Sequence, residues 1–138
     1  QVLLGTSLWE QGLSAGGFVG TQYYGLAVFP GLWNAARPTP AGERLQARLS
    51  AAGKAGADFW SALGYDFARL SAGLHIADAS PKTVNDALQS VTLDWSIAPV
   101  SWNGGIASQR MHLFTPVAGG FAPVDESAFR AAYEEAWR

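Results

Sequence analysis

The sequence contains no cysteine. Disulfides, thiolate nucleophiles and cysteine-ligated zinc are therefore excluded, and a disulfide-free chain fits the cytosol and a bacterial periplasm equally. Charge is also scarce: 14% of residues are charged, against about 25% in a typical globular protein. Nine Lys and Arg against eleven Asp and Glu leave a net charge of −2, with no basic run. A protein that tracks phosphates needs a basic patch, so the composition makes no case for nucleic acid. No apolar run approaches the ~20 residues of a membrane span. Methionine, leader and lipoprotein cysteine are missing at Gln1, where the chain runs at once into Val2-Leu3-Leu4. That abrupt start leads us to expect a processed or excised piece of a longer protein.

Catalytic signatures are missing as well. There is no G-x-S-x-G elbow, P-loop or dinucleotide fingerprint. His75, three residues before Asp78, and His112, between Met111 and Leu113, are the two histidines. Without cysteine or an H-x-x-x-H spacing they make a poor metal site. Glu134-Glu135 reads as a solvated pair on a helix. The expectation is a non-enzymatic protein with no metal and no cofactor.

What the chain does have is apolar content, 49%, with 16 Gly and 6 Trp in 138 residues. That is ample for the core of one ordinary domain. Its clearest periodic stretch is Asp58 to Ala77. Phe59, Leu63, Phe67, Leu70 and Leu74 recur at steps of four, four, three and four, which predicts one buried face of an α-helix. Asp58 is placed to cap it. Gly64 and Gly73 each cost a helix about 1 kcal/mol relative to alanine, which suggests close approach by a neighbour. Asp66 and Arg69 are spaced to pair on the exposed side.

Before this helix, Val2 to Gly5 reads as a buried strand of a sheet covered on both faces. Thr6 to Glu10 reads as a loop, and Gln11 to Gly20 as a loop or weak helix. Tyr23 to Pro30 reads as a second strand, ended by a Pro30-Gly31 turn. Thr39-Pro40 starts a helix that ends near Gly53, and residues 54–57 form a link. After it, Ser80-Pro81 starts another helix, with Val84, Ala87, Leu88 and Val91 at helical spacing. Residues 91–97 read as a strand or irregular edge broken by Pro99. Asn103-Gly104 marks a hairpin turn, Ser108 to Val117 a strand, Gly119-Gly120 a second turn, and Phe121 to Val124 a strand beyond it. Asp125 caps a last helix whose apolar face is Phe129, Ala132, Tyr133, Ala136 and Trp137.

Three segments carry a resemblance. Ala62-Leu63-Gly64-Tyr65-Asp66, followed by Phe67 and Arg69-Leu70, resembles the "a-l-G-Y-D-A" helix of type 1 periplasmic binding proteins. That family includes the branched-chain amino-acid binders of ABC transporters and the related domain of penicillin-binding-protein activator lipoproteins. A strand ending in Gly5, a gap of about twenty residues and then Tyr24-Gly25-Leu26-Ala27-Val28-Phe29-Pro30 follows the family's order. Trp102 and Gly105 match its "G-x-x-x-W/F-d-x-x-G" segment, with Asn103 where the family has aspartate. The resemblance covers about residues 2 to 117; the last helix is read from its pattern alone. It implies an α/β fold with a mostly parallel sheet and packed helices. Residues 1–138 would then be a single α/β domain or fragment, the C-terminal part of a two-lobed binding protein, with the second strand as a hinge crossing. It further implies a periplasmic location, any lipid anchor lying in a region outside this chain. The function implied is non-enzymatic capture of a small polar solute for a membrane transporter or enzyme partner. The alternative is an activator-like regulatory domain that binds a protein partner in cell-wall synthesis. An unrelated α/β domain is a third reading.

In an open α/β sheet, ligands sit at the carboxyl ends of the strands. Thr6, Ser7, Trp9 and Glu10 follow the first strand there, bringing hydroxyls, an indole and a carboxylate to one loop. That mix suits a small-molecule cleft. It equally suits a core tryptophan with hydroxyls capping a helix. A sugar-stacking face is the rival use of the tryptophans, but Trp60, Trp95, Trp102 and Trp137 are spread over helices and turns. The resemblance implies an acidic residue two positions after Gly5 in amino-acid binders, where Ser7 stands, so a less charged ligand or a protein partner is expected. Glu10 lies beyond Trp9 and takes that role only if the loop folds back.

Overall fold

The computed structural model of the chain describes residues 2–17, 20, 24–75 and 79–138. In chain order its elements are β1 (Leu3–Leu4), α1 (Leu8–Ser14), β2 (Ala27–Gly31), α2 (Pro40–Ala51), α3 (Phe59–Leu74), α4 (Pro81–Leu88), β3 (Val100–Asn103), β4 (Ile106–Gln109), β5 (His112–Val117), β6 (Gly120–Pro123) and α5 (Glu126–Ala136). The fold is mixed α/β. Two units divide the chain, residues 1–36 with 111–138 and residues 37–110.

The first unit is built on a four-stranded sheet of order β1-β2-β5-β6. β1 pairs parallel with β2, and β2–β5 and β5–β6 pair antiparallel. The expected mostly parallel sheet is thus corrected to a mixed one. The reason is the connection: β5 and β6 are joined through Ala118-Gly119, with Gly119 at φ +78°, and so tight a turn joins only antiparallel neighbours. β2 also runs through Pro30 and Gly31 instead of stopping there. Val28 accepts the Gly5 N–H on the β1 side, and period two puts Pro30 on that side too, beyond the end of β1. A proline that lacks an N–H leaves no ladder bond unmade at such a place.

Alternation sends Ala27, Phe29 and Gly31 to one face with Phe114 and Pro116, all buried. α1 covers this face. Leu13, Phe29 and Phe114 form the core, with Trp9 and Phe121 packed against them. Ring centroids lie 5.1 Å apart for Phe114–Phe121, 5.5 Å for Phe29–Phe121 and 5.8 Å for Phe29–Phe114, the spacing of tilted and edge-on aromatic pairs. The opposite face is open, with Leu4 75% and Leu113 55% exposed. The expectation that β1 is buried on both faces is therefore not met among the described residues. α5 begins at Asp125, whose carboxylate accepts the Ser127 and Ala128 N–H groups, and leaves Tyr133 and Trp137 exposed. The first part of the second-strand reading, Tyr23, lies outside the described residues.

In the second unit the predicted caps form. Thr39 accepts the Gly42 N–H at 3.1 Å with Pro40 in the first turn, Ser80 accepts the Thr83 N–H at 3.2 Å, and Asp58 and Ser61 make a reciprocal capping box. β3 and β4 form a hairpin across Gly104-Gly105, both at positive φ, as a primed two-residue turn requires. The expected strand Ser108–Val117 is divided into β4 and β5, and the break at Arg110-Met111 is where the chain passes from one unit to the other.

The face of α3 is the main correction. Ala62 and Asp66 are its buried residues, whereas Phe67 is 63% and Leu63 37% exposed. Nothing lies within 4 Å of a Cβ built on Gly64 or Gly73, so neither marks a close approach among the described residues. Asp66, expected outside, is turned inward because its carboxylate accepts the Ser96 N–H at 2.8 and 3.0 Å and the Ile97 N–H at 3.0 Å. Ser96 Oγ donates to the Ala62 carbonyl at 3.0 Å. These bonds hold residues 95–98, an irregular and fully buried segment, against α3. Arg69 reaches Asp66 at 3.4 Å and donates to the Asp94 carbonyl at 2.6 Å. Among the described residues no helix is long and apolar enough to cross a membrane.

Candidate functional site

β1 and β2 run parallel, so their carboxyl ends meet at one edge of the sheet. The expected loop Thr6–Glu10 is shorter than predicted: it spans Gly5 to Ser7, and α1 starts at Leu8. Thr6 and Ser7 are exposed, and Ser7 occupies the cap position without using its hydroxyl as a cap. Backbone bonds from Trp9 N to Thr6 O, 3.0 Å, and from Glu10 N to Ser7 O, 3.2 Å, wind the turn directly from the strand.

That early start decides where Trp9 and Glu10 go. Trp9 lies over Gly5, where a Cβ would come within 2.4 Å of the indole ring, and packs 5.8 Å from Phe29. It forms a wall continuous with the core. Glu10, one residue on, is half-buried. Its Oε2 lies 2.9 Å from the position a Gly31 Cβ would take, so no folding back of the loop is needed. The carboxylate has no hydrogen-bonding or ionic partner among the described residues, and burial raises its pKa above the ordinary value.

Two groups at this edge are not evident from sequence. Gly31 provides the space in which the Glu10 carboxylate and the Phe114 ring rest; a Cβ there would meet Phe114 at 2.7 Å. His112 stands opposite Gly31 in the β2–β5 register, its ring 6.2 Å from that of Phe114. Only strand register brings it to a residue eighty-one positions earlier (112 − 31). Just past β2, Trp33 is buried with its indole N–H unpartnered among the described residues, and Asn34 accepts the Ala36 N–H at 3.1 Å. Thr6, Ser7, Trp9 and Glu10 are therefore brought to one strand edge, two of them solvent-facing and two turned onto the sheet.

Elsewhere, a groove of about 390 Å³ beside α3 and α4 is lined by Arg69, Leu70, Leu74 and Thr92. Its guanidinium is already engaged by Asp66 and the Asp94 carbonyl. His75 caps α3 in the left-handed conformation, and Asp78 lies outside the described residues. Among the described residues no group of three or more His, Asp or Glu side chains is placed to hold a metal ion. Among the described residues, the edge formed by β1, β2 and α1 thus has the best supply of uncommitted polar groups beside an apolar wall. Comparison with protein-family models, with curated proteins and with solved structures found no match to this chain.

Proposed function

We propose that the chain is part of a type 1 periplasmic-binding-protein-like receptor, non-enzymatic, and supplies part of the cleft that captures a small polar solute for a membrane transporter. The observation that carries this reading is the cluster of Thr6, Ser7 and Glu10 at the carboxyl end of a parallel strand pair, beside the Trp9 wall and with no partner on the carboxylate among the described residues. Ligands of open α/β sheets bind at that end. The resemblance of residues 2–117 agrees with the path of the chain, which leaves the sheet-bearing unit after Ala36 and returns at Met111. In this reading the hydroxyls and the carboxylate orient the solute, and the second wall of the cleft comes from the rest of the receptor. A pocket needs to bury ~70–90% of a ligand, so the 138-residue chain alone binds no solute tightly. Titration calorimetry tests this. A longer chain that includes the rest of the receptor is expected to give saturable heat with one solute at micromolar concentration, and this chain none. A micromolar dissociation constant for this chain alone, or no solute bound by the longer one, would overturn it.

The exposed apolar stripe of α3 favours a second reading. Trp60 is 60% and Phe67 63% exposed, with Leu63 between them, and contiguous apolar surface of this kind suits a protein partner. An activator-like domain would use such a surface on a penicillin-binding protein and need no solute. Binding to a purified penicillin-binding protein that is lost in Phe67→Ser, with no solute bound, would favour it.

A further inference from the structure

We infer that the groove between α3, α4 and the segment after α4 is a further binding site, for a short-chain carboxylic acid in its anionic form. Arg69 takes the carboxylate, and Gly73 leaves the room for the alkyl chain. The groove belongs wholly to the second unit, residues 37–110, so the inference goes beyond the reading of the strand edge as a solute cleft.

The charge of the groove sets the ligand's head. Among the described residues, Arg69 is the one charged side chain on its lining. Its guanidinium is held in place but not used up. Nη1 donates to the Asp94 carbonyl at 2.6 Å and reaches Asp66 at 3.4 Å, and the group stands over the Tyr65 ring, 5.1 Å from its centroid. Nη2 and Nε have no partner among the described residues. The two acids beside it have other partners: Asp66 accepts the Ser96 and Ile97 N–H groups, and the Asp94 carboxylate accepts from Arg44. A guanidinium offers a carboxylate two N–H groups at once, and one already fixed in orientation loses little freedom on binding. A carboxylate is therefore the head group that fits, whereas an ammonium would be repelled.

Gly73 sets the ligand's tail. It does not end the helix, because the left-handed residue that caps α3 is His75. It admits no neighbour either, since a Cβ built there meets nothing within 4 Å among the described residues. Neither backbone conformation nor packing thus accounts for a glycine that weakens the helix. What it does is widen the groove, whose walls here are Leu70, Leu74, Val91 and Leu93. Arg69 and Gly73 are one turn apart, a rise of about 6 Å, so a chain of a few carbons reaches from one to the other. The volume, about 390 Å³, lies within the range of roughly 300–1,000 Å³ usual for small-molecule sites.

The experiment is an NMR titration of the 138-residue chain with sodium hexanoate, 1-hexanol and hexylammonium chloride at millimolar concentrations. Binding is read from the amide shifts of residues 69–74 and 90–93. Hexanoate is expected to bind about tenfold more tightly than 1-hexanol, the usual gain from a charge-assisted hydrogen bond, and hexylammonium more weakly than either. Arg69→Gln should erase the preference for the acid. Because Arg69 also ties Asp94 to α3, Gly73→Leu is the second variant and decides the matter where Arg69→Gln does not fold. It fills the groove where no protein atom stands, so its melting temperature should equal or exceed the parent's while hexanoate affinity falls at least tenfold. A glycine without a ligand would give the first effect and not the second. Equal affinity for acid and alcohol, an acid preference that survives Arg69→Gln, or unchanged hexanoate affinity in a folded Gly73→Leu would each overturn the inference, as would the absence of any shift along this groove.

Discussion

Two carboxylates, one in each unit, are treated oppositely by the fold. Asp66 is 1% exposed and fully provided for: two backbone N–H groups and Arg69 surround it. Glu10 is only half-buried and has no partner among the described residues. The more deeply buried acid is the satisfied one, because deep burial is tolerated only where hydrogen bonds replace water. The half-buried one is tolerated because water still reaches it. The resembling family's motif lies around Asp66, yet its role here is to hold residues 95–98 against α3. Uncommitted chemistry is found at the other acid.

Replacing Asp66 is the strongest way to break this comparison. Asp66→Ala strands the Ser96 and Ile97 N–H groups in the core, at about 1–3 kcal/mol for each buried unsatisfied donor, so a loss of about 3 kcal/mol is expected. Urea denaturation of the chain measures it; a change below about 1 kcal/mol would mean the segment finds other partners. Thr39→Ala comes next. Its hydroxyl accepts the Gly42 N–H and donates to the Trp95 carbonyl at 2.6 Å, tying α2 to the segment that Asp66 holds. A loss of about 1–2 kcal/mol is expected by the same assay.

Asp58 sharpens the comparison as an exposed acid with partners. The Ser61 hydroxyl and amide hold its pKa below the ordinary value. Its contribution is therefore present above the usual aspartate pKa of ~3.9 and lost as the pH falls through the lower folded value. Asp58→Ala should cost about 1 kcal/mol at neutral pH, and the difference in melting temperature from the parent should shrink in strong acid.

Glu10→Gln has the smallest expected effect and the opposite sign. A carboxyl whose folded pKa is raised binds its proton more tightly when folded, so the parent gains stability as the pH falls through the raised value. The variant should be as stable as the parent or more so at neutral pH, by about 0.5 kcal/mol or less, since solvent screens much of the charge. That advantage should vanish once Glu10 is protonated. Melting temperatures of both proteins across the acidic range check it; a variant clearly less stable than the parent at neutral pH would show that Glu10 has a partner after all.

Much of the local structure was legible. The caps at Thr39, Asp58, Ser80 and Asp125 all form, as does the turn after Asn103. The candidate loop was legible in place but not in shape, because nothing in Thr6-Ser7-Leu8-Trp9-Glu10 shows that the helix begins at Leu8 and turns Glu10 onto the sheet. Gly31 and His112 were not legible as part of that edge, since they meet only through pairing of distant strands. The apolar spacing of α3 suggested a helix correctly and its buried face incorrectly. Phe59, Leu63, Phe67, Leu70 and Leu74 fit one stripe, but Asp66 is drawn inward by donors thirty residues away (96 − 66).

The sequence by itself determined the starts of α2 to α5, the glycine turns and the supply of chemistry: no thiols, few charges, and one carboxylate just past the first strand. These depend on residues two to four apart, whose backbone and side-chain groups meet whatever the rest of the chain does. Only the tertiary structure decided the sheet's mixed order, the face α3 buries, and which acid is satisfied and which left free. Those outcomes depend on groups brought together from distant parts of the chain, where satisfying a buried polar group outweighs the pull of an apolar stripe.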